Sequence, residues 1–227
     1  MNAESAAPAE NRDDANLLDA SEVRVLAVLA EKEALTPDNY PLSLNALTNG
    51  CNQLSSRDPV MSLSEDVVLD VLQRLIDRKL VSEVRQAGAR VAKYEHRMRI
   101  KWTLEQDKLA VLTLLMLRGI QTAGEIRSRS GRLHDFATVV DVETGLQFLV
   151  DKYPPLVARL ARAPGTKEAR YAHLLSGDEG LESGEAVASV AAPRQDRVGQ
   201  LEEEVARLRG EVASLAQQFE EFRKQFE

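Results

Sequence analysis

The sequence predicts a mainly α-helical protein with small β-hairpins (an α+β class), built from two copies of a three-helix-plus-hairpin unit and followed by a coiled-coil helix. Three observations predict it. Apolar residues recur at helical spacing in six segments. After the third and the sixth of these come two short alternating runs around a Gly-containing turn. Finally, hydrophobic residues over 198–226 alternate spacings of three and four without a break. Three helices followed by a hairpin is the winged-helix order, and its recurrence is stronger support than any single element.

Residues 1–16, rich in Ala, Glu, Asn and Asp, have no apolar periodicity and read as a disordered tail. Asp19 or Ala20, with Ser21 and Glu22, opens the first helix, with Val23, Leu26, Ala27, Leu29 and Ala30 as its stripe, until Pro37 and Pro41 end it. A second helix is expected over 42–54. A third starts at Ser64, whose hydroxyl suits an N-cap and whose followers Glu65 and Asp66 suit the helix dipole. Its stripe is Val67, Val68, Val71, Leu72, Leu75 and Ile76, and it stops near Lys79. Runs over 80–85 and 90–96 form the first wing, so the first winged-helix domain spans 17–100.

The second domain spans 101–176. Its first helix is expected over 103–117, with Thr103 and Gln106 at capping-box spacing. Gly119 ends that helix, Thr122 and Glu125 cap the next over 122–130, and the third covers 136–151. Runs over 156–162 and 168–174 make the second wing. The wings align at an offset of 77, pairing Arg85 with Arg162, Gly88 with Gly165, Arg90 with Lys167, Lys93 with Arg170, Tyr94 with Tyr171 and His96 with His173. The first helices align at 86, so the second domain lacks about nine residues, with 36–44 as the candidate segment.

Residues 177–197 lack periodicity and read as a flexible linker. Beyond it Val198, Leu201, Val205, Leu208, Val212, Leu215, Phe219, Phe222 and Phe226 form a heptad seam over 198–227. Val at the a positions and Leu at d favour a parallel homodimer, and Arg197 with Glu202 and Glu204 with Arg209 supply opposite charges across it. The terminal phenylalanines leave a trimer or an antiparallel pairing open.

The longest uncharged apolar stretch, residues 109–117, is half a membrane span, and the acidic N-terminus lacks the layout of a signal peptide. We therefore expect a cytoplasmic protein with no membrane association. A single cysteine, Cys51, excludes an internal disulfide and is expected to be a small buried apolar residue. No nucleophile elbow, phosphate-binding glycine loop or metal-spaced His and Glu pair is present, so no enzymatic activity, cofactor or metal is expected.

The net charge of −7 is uneven. Residues 1–16 carry one base and four acids, and 176–227 six bases and twelve acids, which leaves 22 bases against 20 acids between them. A slightly positive middle keeps a nucleic-acid role open. Candidate phosphate contacts are Arg85, Arg90 and Lys93 on the first wing, Arg162, Lys167 and Arg170 on the second, and Arg127 and Arg129 on the second helix of domain two. An internal ion pair is the alternative for the last two, and solvated strand edges for the wings. Against DNA binding, the third helices, which would enter the major groove, begin with Glu65 and Asp66 and with Asp135, Asp141 and Glu143. Two functions stay open: a dimeric, transcription-regulator-like DNA-binding protein gripping double-stranded DNA through its wings, or a protein-interaction scaffold that binds no DNA.

Tyr40, Pro41, Leu42, Ser43, Leu44 and Asn45, then Cys51, Asn52 and Gln53, then Arg57, Asp58, Pro59, Val60 and Met61, and the run from Leu117 through Arg118, Gly119, Gln121, Thr122 and Glu125 to Arg129 resemble the YceH family of uncharacterised bacterial proteins. The resemblance covers about residues 17–177. It implies tandem winged-helix domains, a bacterial source and a dimer; any regulatory role it suggests is analogy from the fold. Asn45, Asn52, Gln53 and Arg57 either cap helices or read a partner's polar groups, with capping favoured.

Overall fold

The computed structural model describes residues 17–85, 91–162 and 168–177. The first repeat runs α1 (Ala20–Leu35), β1 (Leu42–Ser43), α2 (Leu44–Cys51), α3 (Glu65–Asp77), β2 (Val81–Val84) and β3 (Lys93–His96). A short helix, α4 (Met98–Trp102), leads into the second: α5 (Gln106–Arg118), β4 (Gln121–Thr122), α6 (Ala123–Ser130), α7 (Val139–Val150), β5 (Val157–Leu160) and β6 (Arg170–His173). The architecture is winged-helix-like α+β, twice over. Each sheet is antiparallel, with the hairpin's second strand in the middle, in the orders β1-β3-β2 and β4-β6-β5.

Side chains placed just ahead of the helices start them. The Asp19 carboxylate accepts from the Glu22 N–H at 2.8 Å while Glu22 accepts from the Asp19 N–H at 2.9 Å, and Thr122 with Glu125 and Thr138 with Asp141 repeat this reciprocal box. Ser43 and Ser64 cap α2 and α3 singly. Each such cap stabilises its helix by about 1 kcal/mol. Gly119 ends α5 at φ 71°, where a Cβ would be strained.

The two repeats share one core. Residues 22–31 of α1 and 109–117 of α5 are buried without a break, so these helices are enclosed on every side and lack an outward polar stripe. α5 packs against α1, α6 and α7 together. Both repeats fall in one compact unit.

The N-caps locate the length difference between the repeats more finely than the sequence alone. Asp19 and Glu105 stand 86 apart, Ser43 and Thr122 79, and Ser64 and Thr138 74. The shortening of the second repeat is thus split: three residues go from the first helix itself, four between that helix and the first strand, and five between the second and third helices. The last residue of the expected segment, Leu44, is the first residue of helix α2.

Other expectations need correction. The strand pairs Val81 with His96 and Val157 with His173, so the first wing strands align at 76 and only the second strands at 77. Arg85 therefore matches Ala161, and Arg162 lies one residue further on, because the second hairpin loop is one residue longer. Thr103 caps no helix: it takes φ 49° at the end of α4, which the sequence reading missed, and α5 starts after Glu105. β1 and β4, two residues each, carry too short a pattern to be foreseen. The tail over 1–16, the wing residues Gly88, Arg90, Gly165 and Lys167, the linker beyond Gly177 and the heptad seam Val198, Leu201, Val205, Leu208, Val212, Leu215, Phe219, Phe222 and Phe226 lie outside the described residues.

Candidate functional site

The wing bases come first. Lys93 and Arg170 open the central strands β3 and β6, where they face Val84 and Leu160 across the hairpins and Ser43 and Thr122 on the other side. Being central, they have no edge to protect, which removes the edge-blocking explanation for these two. Arg85 pairs with Glu83, yet its side chain is 77% exposed. An ion pair that open to water holds little free energy and leaves the guanidinium available. Arg159 and Arg162 are exposed too.

The helix-two arginines are differently placed. Arg127 donates to the backbone carbonyls of Phe136 (3.3 Å) and Ala137 (2.8 Å), tying α6 to the segment that enters α7. Arg129 donates to Gln121 Oε1 at 2.7 Å and meets Glu125 Oε1 at 3.4 Å. Both head groups are engaged within the fold, and the ion pair of Arg129 with Glu125 is the internal alternative foreseen for it.

The third helices carry the opposite charge. On α3 the residues turned to solvent are Glu65, Asp66, Val67, Leu69, Asp70, Gln73, Arg74 and Asp77, and the single base, Arg74, is tied to Asp19 at 2.6 Å and Glu22 at 3.2 Å. On α7 the outward residues are Val139, Val140, Asp141, Glu143, Thr144, Gln147 and Phe148, with no base among them. Both surfaces are acidic and partly apolar.

The segments that carry the family resemblance meet in space. The loop from α2 to α3, longer by five residues than its counterpart, bridges to the second repeat: the Asp58 N–H donates to the Leu117 carbonyl at 2.8 Å, and Arg118 donates to the Ser56 hydroxyl at 2.5 Å. Inside the loop Asn52 pairs both ways with the Leu63 backbone at 2.8 Å, so its amide shapes the chain, while Asn45 donates to Glu65. Beneath lies a buried ionic network that the sequence reading missed. Arg57, with no exposed side-chain surface, forks onto Glu31 at 3.0 and 2.6 Å and also bonds the Gly50 carbonyl and Gln53. Arg24 spends its guanidinium on the carbonyls of Cys51 and Pro59. Arg57 draws the Glu31 carboxyl below its usual range against the opposing effect of burial, and burial followed by the neighbouring Arg57 lowers Arg24. The available signal was Arg24 and Glu31, charged residues lying inside the apolar run of α1. Cys51 is buried as expected, and burial pushes its thiol up to about 12, which keeps it inert.

The two wing-end histidines occupy matching positions in different surroundings. His96 Nε2 lies 3.2 Å from Glu33, whose carboxyl this contact and then Arg99 hold down to about 2. His173 has no such partner: its Nδ1 is buried without a hydrogen bond, and burial pushes the imidazole down to about 4. A folded-state value below the unfolded 6.5 means the unfolded chain binds the proton first. The stability held by neutral His173 is therefore complete above pH 6.5 and is lost as pH falls toward 4, by up to roughly 3 kcal/mol. Urea titrations at pH 7 and 4.5 should show this decline in the native chain and a flatter one in His173→Gln; equal declines would clear His173.

Among the described residues no helix is long and apolar enough to cross a membrane, and no three His, Cys, Asp or Glu side chains gather as metal ligands. A family model described as "Protein of unknown function, DUF480" matches residues 18–166. The chain is 68% identical over 216 residues to a UPF0502 protein of Herminiimonas arsenicoxydans, covering 93% of this chain and 91% of the relative. It is 67% identical to one from Janthinobacterium sp. (strain Marseille), with 97% of each covered, and 46% identical to one from Geobacter sulfurreducens, covering 93% and 99%. With two thirds of its length under the family model and its proximal relatives matched nearly end to end, the chain belongs to the DUF480 (UPF0502) family of bacterial proteins.

Proposed function

We propose that the protein is a non-catalytic adaptor whose α3 and α7 faces dock a protein partner bearing basic and apolar groups. The carrying observation is the chemistry of those two faces. Asp66, Asp70, Asp141 and Glu143 stand exposed on the helices that a DNA-reading winged helix lays along the major groove, beside exposed Leu69, Val140 and Phe148. Carboxylates there meet phosphates repulsively, whereas a surface of acids around apolar anchors suits a Lys- or Arg-rich protein surface. In sequence, the heptad seam from Val198 to Phe226 supports a homodimer that would present these faces in duplicate.

A photo-crosslinking residue at position 69 or 140 should give discrete protein adducts in the cell, lost when Asp141 and Glu143 are changed to lysine. Adducts that persist after the charge reversal, or none at all, would sink the adaptor reading.

The exposed bases Arg85, Arg159 and Arg162, with Lys93 on its central strand, favour a second reading, wing-led binding of double-stranded DNA. It calls for anisotropy binding to a mixed duplex with a steep salt dependence that weakens in Lys93→Glu with Arg162→Glu.

A further inference from the structure

A cleft of about 770 Å³ opens where the end of α3, the junction of α4 with α5 and the loop after α7 converge. Its floor is leucine: Leu18, Leu80, Leu156 and Leu174 line it and are buried. Leu80 and Leu156 are equivalent rungs of the two repeats. Each takes its N–H to the end of its third helix, at 2.9 and 3.0 Å, and each offers its carbonyl to the residue after or ending the wing, Arg97 or Leu174, at 2.8 Å. The cleft thus exists only because the repeats pack side by side. Trp102 and Tyr153 also line it, and Tyr153 stands 93% exposed, an aromatic ring left in water at the mouth of an apolar hollow.

Among the described residues, the charged side chains that line the cleft are Arg78, Lys101 and Lys152, with no carboxylate among them, in a chain with 36 acids against 29 bases. Arg78 is committed to the wall, donating to the Leu17 carbonyl at 2.9 Å and to Glu22 at 3.2 Å. Lys101 is exposed, and the half-buried Lys152 rests its ammonium 5.0 Å from the centre of the exposed Phe148 ring, a weak surface contact. A hollow of this volume with an apolar floor and few polar groups has the form of small-molecule sites.

We propose that the cleft binds an amphipathic anion, with an acyl or aromatic body on the leucine floor beside Trp102 and Tyr153 and one carboxylate or phosphate head held by Lys101 and Lys152. Concavity disfavours a duplex, and two lysines without a lining carboxylate among the described residues favour an anion over a cation. Because the floor is shared by both repeats, such a ligand fastens them to each other and favours the packed arrangement described above.

Trp102 is the chain's only tryptophan, so its emission reports on the cleft. Full-length protein is titrated with decanoate, decyl phosphate and, as a neutral control, decanol. Expected is a saturable change with both anions and none with decanol, and an apparent Kd raised about tenfold in K101E with K152E at an unaltered melting temperature. No response to either anion, equal responses to decanol and decanoate, or an unchanged Kd in the double variant overturns the proposal. So does a shift of Trp102 emission on deleting residues 1–16 alone, which would assign the cleft to the chain's own acidic N-terminal segment.

Discussion

Glu31→Ala is expected to destabilise the protein by about 3–5 kcal/mol, the range found when one member of a buried ion pair is removed. The substitution leaves Arg57, which has no exposed side-chain surface, and Arg24, which bonds only to carbonyls, as two guanidiniums without a carboxylate between them. Glu31→Gln retains hydrogen-bonding oxygen while deleting the charge and should fall between the native chain and alanine. Replacing both partners, Glu31→Leu with Arg57→Met, should cost less than either single change, since no uncompensated charge is left. Urea denaturation of the native chain and the three variants checks the order, and a loss below about 1 kcal/mol in Glu31→Ala would mean that water already reaches the pair.

Leu112→Ala is expected to cost about 2–5 kcal/mol, the transfer and cavity terms of a fully enclosed leucine. Leu112 is 0% exposed on α5, the helix that packs on elements of both repeats. The loss should therefore lower the denaturation midpoint of the whole structured body in a single transition with an unchanged slope. Two transitions, with α1 and α3 unaffected as judged by hydrogen exchange, would show the repeats to be energetically separate.

Much of this fold is legible in the chain because its signals are local. Asp19, Ser64, Gly119 and the Thr122 with Glu125 box stand where the helices begin and end, since a cap satisfies backbone groups a few residues away. Thr103 shows the limit: its spacing to Gln106 imitates a capping box, but the chain needs a left-handed residue there to turn from α4 into α5. The wing register slipped by one because the second strands carry the matching residues Tyr94 with Tyr171 and His96 with His173, while nothing in the first strands fixes the loop length. The candidate site was harder to read. Arg127 and Arg129 look like phosphate contacts in a list of bases, and only folding shows that their partners are two carbonyls nine and ten residues on and a glutamine eight residues back. The cleft combines residues from five separate stretches of chain, a grouping that no spacing encodes.

The unbroken burial of residues 22–31 and 109–117 has a practical corollary. Tandem domains are commonly studied by cutting between them and expressing each piece. Here a cut near residue 104 would strip α1 from α5 and present each half with a helix that has no side made for water. Each fragment would meet its solvent as an interface in search of its other half, so the smallest soluble piece of this polypeptide is the pair.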